Sequence, residues 1–106
     1  MESLKLLKPL RNTKRQWQVY KIRVSKEYKR NYKKLSEEDK NSVDRVVYKL
    51  LEGEKLETKH KDYKLKGNYQ GLRECHIKPD LLLIYQKEET HLILPCINVG
   101  SHSNLF

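Results

Sequence analysis

The stretch Leu72-Arg73-Glu74-Cys75-His76-Ile77-Lys78-Pro79-Asp80-Leu81-Leu82-Leu83-Ile84-Tyr85 decides the fold. Its two apolar-rich runs are separated by Pro79-Asp80, a turn pair in which proline presets φ and aspartate bonds its own following backbone. Successive side chains of a strand point to opposite faces. Leu72, Glu74, His76 and Lys78 therefore share one face of the first run, and Arg73, Cys75 and Ile77 share the other. Cys75 and Ile77 are expected to meet a layer of helices. That leaves Glu74 and His76 on an open face, with Asp80 just past the strand's end.

Downstream, residues 81–87 and 91–99 read as further strands joined through Glu88-Glu89-Thr90, which completes a β-meander. Pro95 has no N–H for a ladder, so a bulge or a break is expected there. Upstream, residues 17–24 alternate with period two and place Tyr20, Ile22 and Val24 on one face of a first strand. Ser25 is placed to cap a short helix in which Tyr28, Tyr32 and Leu35 recur at helical spacing. Ser36 opens a second helix, with Glu37, Glu38 and Asp39 in its first turn and Val43, Val46, Val47, Leu50 and Leu51 along one stripe. Gly53 is its expected C-cap. Residues 54–71 form a lysine-rich loop holding His60, Tyr63, Gly67 and Tyr69. The order predicts an α+β domain, strand-helix-helix-strand-strand-strand, with a helical hairpin on one face of a mostly antiparallel four-stranded sheet.

At 106 residues the chain has room for one core. Residues 17–106 are expected to form it, with 1–16 a basic arm. The first 34 residues hold twelve of the 23 Lys/Arg but only two of the 14 Asp/Glu, so the net charge of +9 is concentrated at one end. Such a field draws polyanions, nucleic acid above all, although an acidic membrane, an acidic protein or plain solvation would answer it too. Cys75 and Cys96 lack zinc-site spacing and read as buried thiols in a reducing compartment. Residues 4–10 are too short and too interrupted by lysine for a signal core, and no apolar run approaches a membrane span. A cytoplasmic protein with no membrane partner, metal or cofactor is expected.

Metal-free RNA cleavage requires a base for the 2′-OH, an acid for the leaving 5′-oxygen and a cation for the developing charge. His76, His102, Asp80, Glu74 and Arg73 are residue types that supply those roles. The runs at residues 61–67 (Lys-Asp-Tyr-Lys-Leu-Lys-Gly), 72–85 (quoted above) and 100–106 (Gly-Ser-His-Ser-Asn-Leu-Phe) resemble, as a set, the YafQ branch of the RelE-type toxins. The resemblance implies the toxin of a type II toxin–antitoxin pair, with an antitoxin protein as partner, that enters the ribosomal A site and cuts mRNA there. On that likeness His76 and His102 match the family's acid–base histidines and Asp80 its acidic partner. Glu74 stands at a second carboxylate position, Arg73 at a basic one and Phe106 at the C-terminal aromatic that helps hold mRNA. Tyr63, Lys64 and Lys66 fall where substrate would be met, and solvation alone also accounts for the lysines.

The chain departs from the family pattern twice. Tyr63 stands where many members have histidine, and a phenol with a reference pKa near 10 is a poor base at neutral pH. Asn98 stands where an arginine is usual, and a neutral amide does not replace a guanidinium facing an oxyanion. Beside the endonuclease, two further readings therefore stand: a slowed or inactive toxin that still binds antitoxin or RNA, and a basic RNA-binding protein unrelated to toxins.

Overall fold

The computed structural model describes residues 19–106. The arm at 1–16, with Trp17 and Gln18 of the expected first strand, lies outside the described residues. That strand, β1 (Lys21–Val24), starts later than alternation predicts because the chain first bends against a helix end. The N–H groups of Val19 and Tyr20 both donate to the Leu51 carbonyl, at 2.8 and 2.9 Å. Tyr20 is buried and Lys21 and Arg23 are exposed, so the facing agrees with the reading.

Ser25 accepts from the Tyr28 N–H to start α1 (Lys26–Lys33), and Ser36 accepts from the Asp39 N–H to start α2 (Glu37–Leu51). Each hydroxyl satisfies a donor that a helix start leaves orphaned. Glu52 is the C-cap of α2, and Gly53 stands one residue beyond it at φ +78, a left-handed conformation that costs glycine little. The Gly53 N–H donates to the Leu50 carbonyl and the Glu54 N–H to the Lys49 carbonyl, closing the helix in a Schellman pattern. The two helices are pinned to one another by the Tyr32 hydroxyl, which donates to Asp44 at 2.9 Å.

The remaining strands are β2 (Tyr63–Lys64), β3 (Arg73–Lys78), β4 (Leu81–Tyr85) and β5 (Ile93–Gly100), and the sheet order is β1-β5-β4-β3-β2. The expected four-stranded sheet is thus five-stranded. The added strand, β2, arises within the lysine-rich loop and pairs antiparallel with β3, Tyr63 opposite Glu74 and Lys64 opposite Arg73. Among the described strands only β1 and β5 run parallel. Two 3-10 turns, Thr58–His60 and Gly67–Tyr69, flank β2, and the chain ends in a short helix, α3 (His102–Leu105). None of these pieces is long enough to show a hydrophobic period.

Pro95 does not break β5. Its carbonyl accepts from the Gln86 N–H at 3.0 Å, and only the return bond that proline cannot donate is lost. This explains why β4 closes at Tyr85 and not at residue 87. The bulge expected there lies at Ile97 instead, since Tyr85 pairs with Cys96 and Ile84 with Asn98. The extra residue turns both Cys96 and Val99 toward the helices, where strict alternation would have sent Asn98 inward.

The core lies between α1 and α2 and the helix-facing side of the sheet, with Tyr28, Val43, Val47, Leu50, Cys75, Leu83, Leu94 and Val99 almost wholly buried. Both cysteines are free and buried, as expected, and burial pushes the Cys96 thiol up to about 12. At neutral pH it is a packed thiol and not a nucleophile.

Candidate active site

Register places His76 beside Leu82, and Leu82 beside Gly100, in one row across β3, β4 and β5. Glu74 lies one row away, between Tyr63 and Ile84. The face the alternation left open is not bare: Glu74 is only 4% exposed. One of its carboxylate oxygens faces His76 Nε2 at 3.4 Å, and the other accepts from the Tyr63 hydroxyl at 3.4 Å. A carboxylate opposite Nε2 favours the tautomer protonated there, which leaves Nδ1 free to accept a proton. Partial desolvation, and after it the same carboxylate, raise the Tyr63 pKa above its ordinary value. Tyr63 therefore serves Glu74 as a donor.

The C-terminus folds back toward this face. Ser101 caps α3 through the Asn104 N–H, and the His102 N–H donates to Asp80 Oδ1 at 3.4 Å. A Cβ placed on Gly100 would sit 3.5 Å from Leu105, so α3 lies against the last residue of β5. The His102 ring meets Phe106 with centroids 5.1 Å apart, and Phe106 meets Tyr69 edge-on at 5.4 Å. Tyr63, Tyr69 and Phe106 are 49%, 43% and 48% exposed, a supply of aromatic surface for unstacked bases.

The fold does not bring every expected residue to this cluster. Arg73 points to the opposite face of β3, where its Nε donates to Asp62 at 3.2 Å and to the Tyr85 hydroxyl at 3.3 Å. Lys64 and Lys66 line an open groove of about 720 Å³ at the end of the β2–β3 hairpin, together with Arg73 and Lys87. Asn98 accepts from Asn31 of α1 at 2.6 Å and from the Val99 N–H, so it is committed to the α1 contact.

Two residues in supporting positions carry no motif of their own. Tyr69 gave only the weak signal of an aromatic in a polar loop. His60, beside the Lys-Asp-Tyr run, is buried and bonds the His76 carbonyl through Nδ1 at 2.7 Å. Among the described residues no group of three or more His, Cys, Asp or Glu is arranged to hold a metal ion. Nor is any helix there long and apolar enough to cross a membrane.

Residues 20–106 match the family described as bacterial toxin of type II toxin–antitoxin system, YafQ. The chain belongs to the YafQ toxin family. It is 38% identical to the mRNA interferase toxin YafQ of Escherichia coli K12 over 47 residues, a stretch that spans 44% of this chain and 49% of that relative, about half its length. The fold is shared with a metal-bound toxin from Helicobacter pylori at TM-score 0.75 and 39% identity, over 82% of this chain and 99% of that one. It is shared too with the Escherichia coli DinJ-YafQ toxin–antitoxin complex, at TM-score 0.73 and 27% identity over 83% and 98% of the two chains. The YafQ match spans every described element, so the family and the α+β architecture rest on the whole fold and not on the motifs alone.

Proposed function

We propose that this protein is an endoribonuclease that cuts mRNA in the ribosomal A site and so arrests translation in the cytoplasm, held in check by a cognate antitoxin. The observation that supports it best is the contact of His76 with Glu74 in the adjacent row, His76 itself standing in the row of the sheet that leads through Leu82 and Gly100 toward His102. His76 Nδ1 takes the 2′-OH proton, the 2′-oxygen attacks phosphorus, and the P–O5′ bond breaks. His102 in its protonated form gives its proton to the departing 5′-oxygen. Asp80 fixes the start of α3, and with it the place of His102. Phe106 and Tyr63 hold the splayed bases and Lys64 and Lys66 meet flanking phosphates. These groups suffice for cleavage without a metal, and each proton-transfer group is worth roughly 10² to 10⁴ in rate. The antitoxin follows from the relative that carries one.

Incubating the protein with ribosomes and message, and mapping 5′ ends by primer extension, tests the proposal. Discrete cuts that vanish in His76→Ala and His102→Ala are expected. No cuts, together with no growth arrest on expression alone, would overturn it.

A second reading has its own support. The raised Tyr63 pKa and the engagement of Asn98 by Asn31 leave two family positions without their usual base and cation. On that reading the protein is a weakened toxin whose main act is binding antitoxin or RNA. Restoring Tyr63→His and Asn98→Arg, alone and together, separates the two, since a weakened enzyme gains activity and a fully active one does not.

A further inference from the structure

We infer that His60 is a positioning residue for His76, taking the place of a strand that the sheet lacks at that point. The inference rests on the reading of His76 as an acid–base group. β2 contributes two pairs to β3, Tyr63 with Glu74 and Lys64 with Arg73. Continued backward in the same register it would set Asp62 opposite Cys75 and Lys61 opposite His76. The chain does not continue that way. Lys61 adopts φ +45, which turns the backbone out of the ladder, and the Asp62 side chain is drawn to Arg73 and Tyr85.

The edge of β3 beyond Glu74 is thus left without a strand, and the imidazole of His60 closes the gap. Its Nδ1 lies 2.7 Å from the His76 carbonyl. A carbonyl only accepts, so Nδ1 carries the proton. His60 is 8% exposed, so its ring N–H has little water to turn to, and a buried donor deprived of its acceptor is expensive to leave unmatched.

The bond falls where β3 is least constrained. The next residue, Ile77, is the bulge at which pairing with β4 slips, His76 standing opposite Leu82 and Lys78 opposite Leu81. A strand end with a bulge on one side and, among the described residues, no paired strand on the other is held less firmly against peptide rotation, and a side chain's direction follows its peptide. The His76 ring stands 3.4 Å from Glu74, already at the long end of hydrogen-bonding range, so a small change in its aim weakens the contact. His60 holds the backbone from which that contact is aimed.

The chemistry of the donor supplies the test. Asparagine carries an amide N–H at the same bond count from Cα as the imidazole Nδ1, and leucine fills similar space with no donor. In the ribosome-dependent cleavage assay His60→Leu is expected to lower kcat by about 10- to 100-fold with KM within about threefold, as misaimed catalytic groups do. His60→Asn should recover to within about threefold of wild type, since the restored bond is of the same class.

NMR of the wild type should show His60 in the Nδ1–H tautomer with that proton protected from exchange, and His60→Leu should shift the ring signals of His76. A His60 protonated only on Nε2, or His76 signals in His60→Leu that superimpose on those of the wild type, would overturn the inference. Should His60→Leu fail to fold, the wild-type tautomer and the activity of His60→Asn decide. A wild type that cuts nothing sinks the endonuclease reading, while the His76 signals still decide the positioning.

Discussion

Arg73 and Glu74 are consecutive residues committed to opposite faces of β3. Arg73 joins Asp62 and Tyr85 on the helix-facing side, and Glu74 joins His76 and Tyr63 on the other. Position along the chain places both in the candidate site; the pleat separates them.

The two therefore fail differently. Arg73→Gln is expected to lower stability by about 1–2 kcal/mol, the scale of a partly exposed charged hydrogen bond, and to leave kcat within about threefold. Glu74→Gln keeps an acceptor for Tyr63 but loses the charge that orients His76, so kcat should fall by about 10-fold or more with little change in Tm. Thermal denaturation beside the cleavage assay reads both, and a loss of kcat in Arg73→Gln at unchanged Tm would place Arg73 in catalysis after all.

Desolvation and the Glu74 carboxylate push the Tyr63 phenol up from its ordinary value, so no tyrosinate is available as a base at neutral pH. Tyr63→Phe should hold cleavage within about threefold, and Tyr63→His should do the same in a fully active enzyme, whereas a weakened one should gain about 10-fold or more from a group that exchanges protons near pH 7. The rate profile of the wild type should show no rise from a phenol below pH 10. Abolished cleavage in Tyr63→Phe would assign the hydroxyl a direct part.

Alkali should unfold the protein. Burial raises the pKa of Tyr28, Tyr32 and Tyr85, and the Asp44 and Asp62 carboxylates beside Tyr32 and Tyr85 raise those two further. The folded state thus holds protons that the unfolded chain releases near pH 10. The contribution is fully present below about pH 10 and is lost as pH climbs toward the folded values. Tyrosinate absorbance and circular dichroism should change together in a titration above that pH. Separate transitions would mean that these phenols are not tied to the core.

Phe106 is half exposed and touches His102 and Tyr69 rather than the core. Phe106→Ala should leave stability within about 0.5 kcal/mol. The loss should appear in substrate affinity, with KM rising by about 10-fold, the scale of one base–aromatic stack. A fall in Tm without a change in KM would make Phe106 a packing residue.

Much of the architecture was legible because it repeats. Val43, Val46, Val47, Leu50 and Leu51 declare α2 by their spacing, Ser25 and Ser36 announce the helix starts, and alternation from Arg73 to Ile77 assigns each side chain to its face. The bulge at Ile77 turns Lys78 off the expected face of Glu74 and His76 to the helix side, where it donates to Asp39 at 2.6 Å. The run around His76 and Asp80, with His102 near the end, located the candidate site through its likeness to a family. β2, the 3-10 turns and α3 are held by single side chains and backbone bonds, so they left no period to read.

Residue types and their alternation determined that Glu74 and His76 share a face opposite Cys75 and Ile77, that two capped helices cover the latter, and that the chemistry gathers in the last third of the chain. The tertiary structure alone decided that Glu74 is buried between His76 and Tyr63, that the bulge sits at Ile97 beyond Pro95, and that His60 reaches the His76 carbonyl. The physical reason is range. Propensity, capping and pleat act within a few residues, whereas these contacts join positions 11 to 16 apart or depend on register with a neighbouring strand, which is set only when the whole sheet has closed on its core.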